Sequence, residues 1–271
     1  TCGEFGLLGL AIDPEFQVNH YLYVYFIEPV DPDAQIGHPV IMRFTDVEGK
    51  GEDPTVIVSD LPNTTPGICA HVGGNIHFGP DGYLYVSIGD MQIWEPNYAQ
   101  DLDSPLGKIL RIDKKDGSAA PNNPFFNQRG ADPRVFSYGL RNTFGFTFHP
   151  QSGKIYAADN GPGNCDELNI ITAGENYGHP EASFPEEDPL CLERAGIKPI
   201  YLYTKPDMSP EVFQSNVAPT GMHFVSADVY PSLGDALLSC EFNTGFMRQL
   251  LVAEHKLNHV VDDSIAVEGC S

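Results

Sequence analysis

Four stretches of the chain share one pattern of apolar and polar positions. Each has a glycine, a short strand in which apolar and polar residues alternate, a turn usually carrying Pro, Gly or Asp, and a second β-rich run. They read GLAIDPEFQVNHYLYVYF from Gly9, GNIHFGPDGYLYVSIGD from Gly74, GFTFHPQSGKIYAADNG from Gly145 and GMHFVSADVYPSLGDALLSCEF from Gly221. In the second, Ile76 and Phe78 alternate with polar residues, Pro80-Asp81-Gly82 supplies the turn, and the run from Tyr83 is aromatic and β-branched, which predicts a hairpin. Recurrence roughly every 70 residues marks a repeat architecture. Helical periodicity is weak throughout, so the pattern predicts an all-β chain, a β-propeller whose repeats each form a four-stranded blade. About four to five blades are expected in one domain spanning residues 1–271. The chain opens as if inside a blade, so truncation at one or both ends is expected. The Pro- and acid-rich stretch 179–199 reads as a long inter-strand loop.

Composition narrows the partners. The 271 residues are 41% hydrophobic, ample for a core, and 27 glycines with 23 prolines suit turns more than long helices. A formal charge of -22 repels nucleic acid and anionic membrane surfaces. An anionic ligand would need arginines gathered locally against that field. The longest apolar run, YLYVYFI from Tyr21, is too short to cross a bilayer, so no membrane insertion is expected. Six cysteines (Cys2, Cys69, Cys165, Cys191, Cys240, Cys270) form no CxxC pair, which argues against zinc and leaves disulfides or buried thiols open. Asn63-Thr64-Thr65 is a glycosylation sequon, and equally an ordinary turn.

Three places just outside the repeats carry residues with chemistry. His71 stands before Gly73-Gly74, Arg141 and Asn142 precede the strand at Gly145, and Asn160-Gly161-Pro162 follows the run KIYAAD. Each is as readily structural when taken alone. In a propeller, however, loops at one face converge on the central channel, so positions far apart in sequence can meet.

The ordered series GLLGLAIDPEF, HVGGNIHFGPDGYLYVSIGD, QDLDSPLGKILRID, NPFF, YGLRNTFGFTFHP and NGPGNCDELNIITAGENYGHP resembles the soluble PQQ-dependent aldose sugar dehydrogenases, the glucose/sorbosone dehydrogenase family. That resemblance runs over roughly residues 3–255 and implies a six-bladed propeller. It implies His71 as the base that takes a proton from the sugar's anomeric hydroxyl, with hydride passing from C1 to PQQ and an external electron acceptor reoxidising it. It implies Arg141 beside the quinone as a catalytic group, and Glu4, His71, Arg141, Asn142, Asn160 and Asn243 around the cofactor. Gly161 and Pro162 would bind Ca2+ through main-chain carbonyls. The family works outside the cytoplasm, so a secreted or periplasmic location is expected, and a Cys69–Cys165 disulfide at the channel mouth, with Cys2–Cys270 closing the ring, would agree with that.

The chain departs from the family at several positions. Glu4 stands where relatives commonly have Gln, Asn243 replaces a Lys that reaches PQQ, His179 replaces the Trp of NYGW, and the cofactor-binding arginines of the closing blade are missing. These changes keep a second reading open, a propeller retained as a binding module, as in hedgehog-interacting protein, which resembles the same family.

Overall fold

The computed structural model describes residues 3–93, 96–162, 165–179, 196–203, 216–252 and 260–268. They form four four-stranded antiparallel sheets that follow one another along the chain, each with its strands in simple meander order. The first sheet holds β1 (Leu7–Ile12), β2 (Tyr21–Asp31), β3 (Ile36–Val47) and β4 (Lys50–Val58). The second holds β5 (Ile76–Phe78), β6 (Leu84–Ile88), β7 (Lys108–Ile112) and β8 (Val135–Tyr138). The third holds β9 (Thr143–Phe148), β10 (Ile155–Asp159), β11 (Glu167–Ile171) and β12 (Tyr201–Leu202). The fourth holds β13 (Pro219–Val225), β14 (Ala236–Glu241), β15 (Phe246–Val252) and β16 (Val260–Glu268). The four hairpins expected from the repeats are the first two strands of these sheets. Helix is confined, among the described residues, to a single turn, α1 (Phe16–Asn19), inside the first hairpin.

Hydrophobic burial explains how the sheets stack. Three core clusters occupy the three junctions between successive sheets. Tyr23, Tyr25 and Ile41 of the first sheet pack with Ile76, Leu84 and Val86 of the second. Tyr85 and Ile109 meet Phe146, Ile155 and Ala157 of the third. Tyr156, Ala158 and Leu168 meet Met222, Leu237 and Leu250 of the fourth. Consecutive residues of β10 thus enter different cores, the strict period of two applied to a sheet covered on both faces. That is why β6, β7 and β10 are buried at every position, whereas β2 alternates.

The leading glycines are the points of closest approach. A Cβ on Gly9 would run into the carbonyl of Gly74, and one on Gly145 into the carbonyl of Thr220. Inner strands of neighbouring sheets therefore touch backbone to backbone, which only glycine permits. The stretch 180–195 of the expected long loop lies outside the described residues.

Candidate active site

The loops at the ends of the inner hairpins bring the sequence candidates together. His71 sits between β4 and β5 with φ 59°, a left-handed conformation uncommon outside glycine and often found where function fixes the backbone. Its carbonyl accepts the Met91 N–H at 3.0 Å. The same carbonyl would collide with any Cβ at position 89, so Gly89 is needed for the approach.

Asp90, one residue further on, is 1% exposed and was not among the sequence candidates. Its Oδ1 accepts from His71 Nδ1 at 2.6 Å and from the Gln92 backbone N–H at 2.8 Å, while its Oδ2 meets His179 Nε2 at 2.8 Å. Burial pushes the carboxyl pKa up, but the hydrogen bonds from His179 and His71 outweigh it and hold the group well below the usual carboxylate range. An ionised carboxylate only accepts, so the ring protons lie on His71 Nδ1 and His179 Nε2. His71 Nε2 is left with its lone pair, and the Gln92 side-chain amide approaches it at 3.4 Å.

Arg141 joins the same cluster through its backbone, whose carbonyl accepts the Asp90 N–H at 2.8 Å. Its Nη1 donates to the Asn160 carbonyl at 2.7 Å. Burial lowers the guanidinium pKa, and the surrounding Asp90, Asp159, Asp166 and Glu4 work against that shift. Asp159 fixes the Arg141-Asn142 corner by accepting both backbone N–H groups, at 3.0 and 2.9 Å. Asn142 is committed to the fold: its Oδ1 accepts from Gly73 N–H at 3.1 Å and its Nδ2 donates to Glu4 at 3.2 Å. Glu4 also accepts the Val72 N–H at 3.1 Å, so here the carboxylate ties the His71 loop to Asn142.

Asn160 is buried, and its Oδ1 has no hydrogen-bond partner among the described residues. It is a hard oxygen donor immediately before Gly161 and Pro162. The Gly161 N–H donates to Asp166 Oδ1 at 3.1 Å, and the Pro162 carbonyl accepts Cys165 N–H at 3.1 Å, leaving that oxygen one lone pair. Burial raises the Asp166 carboxyl to about 6, although the Ala218 N–H on its Oδ2 at 2.8 Å favours the anion. Asn243 is exposed and donates to Asn216 Oδ1 at 2.8 Å and to its carbonyl at 3.1 Å. Its backbone N–H donates to the Val217 carbonyl at 3.0 Å, and the neighbouring Ala218 N–H meets Asp166. No group of three or more His, Cys, Asp or Glu residues suited to a metal occurs among the described residues.

Cys69 and Cys165, the two cysteines of the expected channel-mouth bridge, are both disulfide-bonded. The expected Cys2–Cys270 pair lies outside the described residues. Asp90 was not among the sequence candidates, and His179 entered only as a departure from the family pattern. The available signal was a carboxylate two residues after the fully buried strand β6, where burial forces an acid to find partners.

Relatives show the same architecture. The aldose sugar dehydrogenase YliI of Escherichia coli is 32% identical over 239 residues, covering 84% of this chain and 60% of its own length. The quinoprotein glucose dehydrogenase B of Acinetobacter calcoaceticus is 32% identical over 69% of this chain and 42% of its own. The chain thus spans at most about three fifths of these relatives. The PQQ-bound structure of the aldose sugar dehydrogenase from Streptomyces coelicolor superposes with a TM-score of 0.73 at 26% identity, covering 99% of this chain and 69% of that one. The family model described as Glucose / Sorbosone dehydrogenase matches residues 1–267, and the chain belongs to that family.

Proposed function

We propose that this protein oxidises a sugar at its anomeric carbon, with His71 as general base. The observation that carries the reading is the buried His71–Asp90 pair at 2.6 Å beside the Arg141 corner. Nδ1 is held by the carboxylate, so Nε2, approached by the Gln92 amide at 3.4 Å, is the basic position, and a proton taken there leaves an imidazolium that Asp90 stabilises. PQQ, were it bound, would supply the two-electron acceptor for a hydride from the anomeric carbon, and loss of that hydride with the hydroxyl proton would leave a lactone. The remaining donors of the Arg141 fork supply positive charge where an oxygen anion develops.

The residues fit such a cofactor at its reacting end and less well elsewhere. The half-buried Arg141 guanidinium and the basic His71 Nε2 are the groups suited to the reaction. Asn142 and Asn243 are already hydrogen-bonded within the protein. The orphan Asn160 Oδ1, beside the Gly161 and Pro162 carbonyls, has the oxygen character Ca2+ prefers, and these three groups would hold it. Two disulfide-bonded cysteines support an oxidising, secreted or periplasmic setting.

Calorimetric titration of the apoprotein with PQQ, with and without Ca2+, followed by aldoses and a dye acceptor, tests the reading. Calcium-dependent binding with dye reduction is expected. A folded protein that binds no PQQ would instead be a propeller kept for protein interaction.

A further inference from the structure

We propose that His179 is a positioning residue for His71, acting through the Asp90 carboxylate that the two imidazoles share. The inference builds on the dehydrogenase reading, but it rests on contacts that exist without a cofactor. Asp90 Oδ1 takes two donors, His71 Nδ1 and Gln92 N–H, whereas Oδ2 takes His179 Nε2 at 2.8 Å. Both side chains are buried, His179 at 4% exposure and Asp90 at 1%.

The segment that delivers His179 is braced for this placement. His179 N–H donates to the Gly139 carbonyl at 2.8 Å, and its own carbonyl accepts from Gln100 Nε2 at 2.8 Å. Gln100 and Asn176 exchange amide hydrogen bonds at 3.0 and 2.7 Å. The Gln100 loop is pinned in turn by the buried ammonium of Lys108, which donates to the carbonyls of Tyr98, Ala99 and Leu106 at 2.7–2.9 Å. This chain of bonds ends at one imidazole pointed at one carboxylate oxygen.

Two consequences follow from sharing the carboxylate. The second donor fixes the rotation of Asp90, and with it the tautomer and orientation of His71, as outer hydrogen bonds do for histidine ligands and bases elsewhere. It also divides the negative charge of Asp90 among three N–H donors, so His71 faces less of that charge than it would from a carboxylate without His179. The other charged groups near the pair are Arg141, whose backbone carbonyl accepts Asp90 N–H, and Glu4, which accepts Val72 N–H. Neither touches Oδ2.

Ring-nitrogen NMR of the apoprotein, which reports the protonated nitrogen of each histidine, decides the structural half. The expected spectrum has His71 protonated on Nδ1 alone and His179 on Nε2. In His179→Phe the His71 ring loses its single tautomer. In His179→Gln, whose amide can still donate to Oδ2, it keeps it. For the loaded enzyme, the acid limb of kcat/KM against pH should move up by about one pH unit in His179→Phe, with kcat falling more than KM changes, and should return in His179→Gln. An unchanged His71 tautomer and pH profile in His179→Phe would overturn the proposal. So would His179→Gln behaving like His179→Phe, or a wild-type His179 carrying its proton on Nδ1. Should His179→Phe not fold, the wild-type tautomers and His179→Gln still decide. Expected NMR results in a protein that oxidises no sugar would sink the dehydrogenase reading and leave His179 in its place.

Discussion

At the scale of single residues, the site is a contest over one buried carboxylate. His71→Ala is expected to abolish turnover while PQQ titrates the protein nearly as before, because the imidazole serves the proton and not the grip; unchanged turnover would remove the mechanism. Asp90→Asn should lower kcat by about 10³-fold, since an amide presents a donor where His71 Nδ1–H needs an acceptor. Asp90 also sets a stability signature. Its folded pKa lies below the ordinary value, so the unfolded chain binds more protons on the acid side. The stabilisation is therefore present above about pH 4 and is lost as the pH falls below it. Acid unfolding followed by circular dichroism should show a flatter response in Asp90→Asn than in the wild type. His71 became a candidate in the sequence through the ordered motifs around it, since a lone histidine before two glycines is as readily structural. Asp90 did not, because its meaning comes from His71 and His179, which lie 19 and 89 positions away. Only folding brings those positions together.

At the scale of elements, the repeat was legible because each inner hairpin is preceded or opened by a glycine, and at Gly9 and Gly145 the missing Cβ lets the next sheet approach. The outer strands carry no such marker, and β12, with two residues, is too short for any periodicity to register. The glycines themselves make the test. Gly145→Ala pushes a methyl into the Thr220 carbonyl, so the third and fourth sheets must separate or shift. Gly221→Ala, at the equivalent place in the fourth sheet, meets nothing within 4 Å among the described residues. The first should cost about 2–3 kcal/mol, the range of overpacked cores, and the second no more than about 0.5 kcal/mol in either direction. Urea denaturation of both variants reads the difference. Equal losses would mean that contact between the sheets does not select glycine at Gly145.

At the scale of the whole molecule, the charge of -22 sets the site against its surroundings. PQQ carries three carboxylates, and the guanidinium that would meet it, Arg141, stands among Asp90, Asp159, Asp166 and Glu4. Two electrostatic effects of opposite sign then act on binding. The distant field repels the cofactor during approach and is screened by salt, with a Debye length of about 10 Å at 0.1 M. A short-range contact with the half-buried Arg141 would be weakened by salt much less. Association should therefore quicken as NaCl rises from low to physiological concentration, and dissociation should change little. An ordinary basic anion site behaves the other way, with association slowing as salt is added. Stopped-flow binding of PQQ to the apoprotein across a salt series separates the two cases. Association that slows with salt would mean that positive charge gathered around the entrance outweighs the acidic field. The same series on Arg141→Ala should keep the salt-driven rise in association, which belongs to the whole surface. What it should lose is residence time, because the short-range grip has gone.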